Sequence, residues 1–267
     1  MKVHNFIEND DVLVLAERGP FKVLEWARDL SVPYWAAQGA YFAAEMGVRR
    51  RQIACTLTGG TSVTVQAGAM QWSVGNIACT TGVTGVGDLL GKFARGVVTG
   101  ESAVKPEYKG HGMLVLEPTY RHLLLVNPKD LGGSMSVNDG MFYACESSLR
   151  QRASMIKRPS GMIAGNEGLF NLALEGDGIV CLESPVPEQE IIVVDLEGDE
   201  LKVDGSFAIA WSTNLDFTVE RSSKSLVGSM VNGEGLVNVY RGTGRVLLAP
   251  MAADDADPNA GSGTSAE

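Results

Sequence analysis

The chain has no run of eighteen apolar residues, no Cys-x-x-Cys pair, few histidines and a shortage of positive charge. The first absence excludes a transmembrane helix. The four cysteines, Cys55, Cys79, Cys145 and Cys181, stand far apart among apolar or small neighbours. They read as small buried hydrophobes in a reducing compartment rather than as a zinc site or a disulfide framework. His4, His111 and His122 lack the H-E-x-x-H spacing of a metalloprotease. No Gly-x-Ser-x-Gly elbow surrounds any serine. No catalytic constellation and no cofactor motif emerges, and the expectation is a protein that is not an enzyme. Lysine and arginine total 22 against 32 aspartates and glutamates, a net charge of −10. Nucleic-acid binding rests on neutralising phosphates with basic side chains, so no nucleic-acid partner is expected. Arg49-Arg50-Arg51 is the one basic run. It reads as a solvated connection into the strand that follows. Met1-Lys2-Val3-His4-Asn5-Phe6 runs into acidic residues rather than an apolar stretch, and the expected location is cytoplasmic.

What the chain has in quantity is glycine, 32 residues of it, and the glycines recur. Gly110-His111-Gly112, Gly176-Asp177-Gly178 and Gly242-Thr243-Gly244 are spaced 176 − 110 = 66 and 242 − 176 = 66 residues apart. Each precedes a run rich in Val, Ile and Leu. Glu101, Glu167 and Glu234 recur in short glycine-containing segments upstream. So do Gln66-Ala67-Gly68-Ala69-Met70, Asn138-Asp139-Gly140-Met141-Phe142 and Val203-Asp204-Gly205-Ser206-Phe207. Landmarks in one order, three times over, point to three internal repeats. Their spans are 51–117, 112–183 and 178–250. An N-terminal extension, 1–50, packs on the first repeat. An acidic tail, 251–267, is expected to be disordered.

The units read as strands with period-two apolar patterning, and glycine supplies the positive φ of tight turns. Val12–Leu15 and Phe21–Trp26 form a hairpin across Arg18-Gly19-Pro20. His122–Val126 is a buried strand, and Asn127–Gly133 is its turn. Gly198-Asp199-Glu200 reads as a hairpin turn, and the Gly-x-Gly sequences as turns before strands. Tyr34–Met46 reads equally as a short helix or a docking strand. A second helix could lie in 88–98. The fold class is all-β, a β-sandwich of three repeats of about 66–72 residues.

Three sets of residues are candidates for function. Leu89, Leu90, Phe93, Val97 and Val98 lie in a glycine-rich excursion of the first repeat and are interface candidates. Gly85-Val86-Gly87-Asp88-Leu89-Leu90-Gly91 has one residue too many for a dinucleotide loop. Glu101, Glu167 and Glu234 could ring a pseudo-threefold axis and hold a cation, or could cap turns. Trp72 and Trp211 could line a small-molecule pocket, or pack in the core.

With these landmarks in hand the chain resembles the altered-inheritance-of-mitochondria protein twenty-four family. The match is carried by Gln66-Ala67-Gly68-Ala69-Met70, Thr99-Gly100-Glu101-Ser102, Gly165-Asn166-Glu167-Gly168-Leu169-Phe170, Leu201-Lys202-Val203-Asp204-Gly205 and Gly233-Glu234-Gly235-Leu236 through Gly244. The resemblance implies a β-rich fold similar to the tryptophan RNA-binding attenuator protein, and homo-oligomers. It implies no reaction, because fold alone does not carry function. The expected role is a self-assembling scaffold with a protein partner or a peripheral membrane contact. The alternative is a small-ligand or cation-binding module.

Overall fold

The computed structural model describes residues 2–81, 105–138, 140–155, 170–221 and 236–251. Among these residues sixteen strands form two antiparallel sheets, with one short α-helix. In the first sheet the strands run β1 (Val12–Arg18), β2 (Phe21–Trp26), β3 (Arg51–Leu57), β6 (Glu107–Leu116), β4 (Ser62–Val65), β9 (Phe142–Glu146), β12 (Val180–Ser184) and β7 (His122–Val126). Strand β5 (Met70–Thr80) joins it by pairing with β6. The second sheet runs β10 (Arg150–Met155), β11 (Phe170–Glu175), β8 (Ser134–Val137), β14 (Ala208–Ser212), β16 (Leu236–Leu248) and β13 (Ile192–Asp204). Strand β15 (Asp216–Arg221) pairs with β16. This is the all-β fold the patterning predicts.

Alternation along the strands sorts side chains into separate cores. Leu123 and Leu125 on β7 face the interior of the first sheet with Phe21, Ile53 and Leu114. Leu124 turns the other way, to Phe142, Val180, Leu182 and Ile209 between the sheets. The first sheet curls until its ends meet. Arg18 on β1 donates to the carbonyl of Leu125 on β7, at 2.8 Å. That bond blunts an edge which would otherwise be open. On the far face of the second sheet, Trp211, Phe217 and Tyr240 pack with ring centroids 5.0–5.2 Å apart.

The hairpin Val12–Trp26 forms as its alternation predicts, and so do β7 and its turn. Two glycine readings change. Gly110–Gly112 and Gly242–Gly244 lie inside strands β6 and β16, not in turns before them. Each marks a change of neighbour. Strand β6 pairs with β4 before the glycines and with β3 after them. Strand β16 pairs with β15 before and with β14 after. Opposite Gly112, Gly75 on β5 has φ +111°, and a Cβ there would overlap the carbonyl oxygen of His111. Backbones that close admit no side chain. Gly198 likewise makes no hairpin. It is a bulge with φ +82° inside the continuous β13.

Some pairings recur at a fixed offset. Val137 faces Leu172 where β8 meets β11, and Val203 faces Asn238 where β13 meets β16. The offsets are 203 − 137 = 66 and 238 − 172 = 66.

Candidate functional site

Leu89, Leu90, Phe93, Val97, Val98, Glu101, Glu167 and Glu234 lie outside the described residues, as does most of the acidic tail. Among the described residues, no group of three His, Cys, Asp or Glu side chains could hold a metal ion. Trp211 is buried in the core of the second sheet. Trp72 packs edge-on against Phe6, at 5.2 Å. Neither lines a described cavity; both pack against other aromatic rings. His111 stands exposed on β6. His122 is partly buried at the start of β7. Burial, with Arg51 nearby, brings its pKa down to about 4, while Glu25 pulls the other way. Three cysteines are buried as expected, but Cys79 is exposed on β5.

The surface feature the sequence reading underrated is the segment between β2 and β3. Residues 30–44 carry no charged side chain. The segment forms a 3₁₀ turn at Tyr34–Ala36 and then helix α1 (Ala37–Glu45). The two readings of this stretch resolve as a helix. It is a poor helix on its own: nine residues, no side-chain N-cap, no acidic residue in the first turn and no buried residue. Nine residues without packing are marginal in water. Its large apolar side chains point away from the body. Tyr34 is 86% exposed, Trp35 75% and Met46 82%. Leu30, Tyr41 and Phe42 are exposed as well.

The base of this arm is fixed by charge. Gly47, at φ +79°, ends the helix, with Val48 N–H bonded to Ala43 O and Gly47 N–H to Ala44 O. Arg49 donates to Ala44 O at 3.2 Å and Arg51 to Gly47 O at 2.8 Å. Cations there also favour the negative end of the helix dipole. Both guanidiniums converge on Glu25 of β2, Arg51 at 2.8 Å and Arg49 at 3.2 Å. The Arg51 and Glu25 side chains are 6% and 9% exposed. Arg51 reaches the Tyr120 carbonyl too, at 3.3 Å. Arg50 pairs with Asp29 at 3.0 Å and lies over the Trp26 ring at 5.7 Å. Arg28 pairs with Asp11 at 2.6 Å. The basic run is therefore not a solvated connection. Its three charges are matched by carboxylates distant in sequence, which a one-dimensional reading cannot see. The only sequence signal for the arm was its charge-free run with paired aromatics.

A second feature is the outer edge of β5. This strand pairs with β6 along its length, and among the described residues no strand covers its other side. None of its residues is buried, and none carries a charge. Strand β13, the other long outer strand, carries Asp195, Glu197, Asp199, Glu200 and Asp204 along with its bulge. These are devices that keep an edge from pairing with another chain. β5 lacks them.

No helix among the described residues is long and apolar enough to cross a membrane. A family model described as Mitochondrial biogenesis AIM24 matches residues 15–251. An uncharacterised protein of Streptococcus pyogenes serotype M6 is 28% identical over 199 residues, 72% of this chain and 78% of the relative. The X-ray structure of a Streptococcus pyogenes protein is similar, with a TM-score of 0.58 and 27% identity. It covers 78% of this chain and 91% of its own.

Proposed function

The chain belongs to the AIM24 family, and from that premise we propose that it is a non-enzymatic, self-assembling scaffold. The observation that carries the proposal is the open edge of β5. Along its eleven residues alternate backbone groups face outward with no strand beside them among the described residues, and neither charge nor proline repels a second strand. A strand can extend such an edge by main-chain hydrogen bonds. An uncharged strand is also self-complementary. Two copies of a chain with net charge −10 repel each other, and they meet at least cost through a neutral surface. Antiparallel pairing of β5 with its copy about a twofold axis closes both edges at once. The 66-residue offsets in pairing support a body built of repeats, and among the described residues this long neutral edge belongs to the first.

Light scattering tests the proposal. The wild type is expected at a multiple of 28.4 kDa. A Ser73→Glu/Asn76→Glu variant places charges on exposed positions of β5. It is expected at monomer mass, with the unfolding midpoint that the wild type shows when diluted to monomer. A monomeric wild type, or a variant of unchanged mass, overturns the proposal.

A further inference from the structure

We infer that the arm spanning Leu30–Val48 is a membrane-insertion element that enters the headgroup region of a lipid bilayer tip first. The first argument is the ordering of polarity along it. Residues 30–44 hold no charge, and the charged groups lie at the two ends where the arm joins the body. Arg28 and Asp29 stand on one side, and Glu45 and Arg49–Arg51 on the other. A protein partner would place no such demand on the arm. A bilayer does, because charge is tolerated at the interface and costly within it.

The second argument is the kind of apolar residue. Tyr34, Trp35 and Tyr41 combine an apolar ring with a polar atom, and Phe42 and Met46 add bulk. Rings of the Trp and Tyr type sit at the headgroup level of membranes. These five side chains and Leu30 expose on the order of 1,000 Å², beyond the apolar patch of an ordinary soluble monomer. Gln38 and Glu45, seven residues apart and so on one face, are the only polar side chains of the helix besides Tyr41, and the rest of its circumference is apolar. A flat protein surface would cover one side of it, whereas lipid can surround the whole apolar remainder.

The third argument is the collar. Each of Arg28, Arg49, Arg50 and Arg51 is paired with a carboxylate, Arg49 and Arg51 sharing Glu25 and the others taking Asp11 and Asp29. Paired charges suit the zwitterionic headgroups of a neutral membrane. With a body of net charge −10, attraction to anionic lipid is not the driving force. Binding is expected to be apolar in origin and nearly indifferent to salt. The clamp on Glu25 holds the arm out before any lipid arrives. This inference goes beyond self-assembly through β5 and does not depend on it.

The test is sedimentation of the full chain with vesicles of pure phosphatidylcholine, and with vesicles holding a fraction of phosphatidylglycerol. The wild type is expected to bind both, with little change between 0.1 and 0.5 M salt, as for any screened-out electrostatic contribution (about 10 Å of Debye length at 0.1 M). Trp35→Ser/Phe42→Ser should weaken binding roughly a hundredfold or more, since each buried ring is worth at least about tenfold. Both residues are exposed, so the variant keeps its unfolding midpoint. Binding that requires anionic lipid and disappears in salt overturns the inference. So does no binding to phosphatidylcholine, or equal binding by the variant. An arm variant that changes solution mass while the wild type ignores vesicles assigns the arm to a second copy instead, and also overturns it.

Discussion

Replacing Glu25 by alanine would leave two guanidiniums converging on nothing. Arg51 is nearly buried and 2.8 Å from the carboxylate, and Arg49 is 3.2 Å away. Removing one partner of a buried pair costs about 3–5 kcal/mol, because the remaining charge has lost both water and counter-ion. Here the remaining charge is not wholly abandoned. Arg51 keeps the carbonyls of Gly47 and Tyr120, and Arg49 keeps that of Ala44. Those bonds place Glu25→Ala at the lower end, near 3 kcal/mol. That is a large share of a domain's usual stability, about 5–15 kcal/mol. Urea unfolding reads the loss as a lower midpoint at unchanged slope. Hydrogen exchange over residues 37–51 should report opening of the arm's base ahead of the sheets. Arg241→Ala is the contrast. Arg241 also bonds two glutamates, Glu200 and Glu220, but all three side chains are more than a third exposed. Its loss should cost under about 1 kcal/mol. Equal costs for the two variants, or a Glu25→Ala loss below about 1 kcal/mol, would refute the claim that the arm hangs on a buried clamp.

Other expectations follow from single contacts. Gly75→Ala forces a Cβ into the carbonyl oxygen of His111 at φ +111°, and should destabilise by more than about 1 kcal/mol in thermal or urea unfolding. His122 is held neutral in the fold, with a pKa near 4 against 6.5 for the free side chain. The unfolded chain therefore binds the extra proton, and stability falls as pH drops from about 6.5 to 4. His122→Gln should flatten that part of a pH series of urea midpoints. Of the four thiols, Cys79 alone should react in the native protein. Cys55 and Cys181 are buried with raised pKa, and burial pushes Cys145 up to about 12. A thiol count above one before unfolding would contradict the burial of those three.

What was legible in the sequence is what alternation writes locally. Val12–Trp26 and His122–Val126 announce themselves because period-two patterning and a turn residue decide a strand without outside help. Glycine is less specific. The same residue serves a turn at Gly19, a bulge at Gly198 and a close strand approach at Gly75, so of the three Gly-x-Gly sequences only Gly176–Gly178 forms a turn before a strand, while the other two lie inside strands. Charge pairing is not written locally at all. Arg51 finds Glu25 because β2 and β3 lie side by side, which no reading of Arg49-Arg50-Arg51 reveals. The arm fell between these cases. Its charge-free aromatic stretch was visible, but its exposure depends on what the body leaves uncovered. The recurring carboxylates Glu101, Glu167 and Glu234 and residues 82–99 of the glycine-rich excursion fall outside the described residues.

The most direct measurement of self-assembly is hydrogen exchange over residues 70–80 as the protein is diluted, with residues 192–204 as the internal comparison. Among the described residues each of these strands has a neighbour on one side only. If copies join through β5, its outward amides are protected at high concentration and lose that protection on dilution, while those of β13 exchange at the same rate throughout. Exchange of the β5 amides that is fast and independent of concentration, matching β13, would contradict the account.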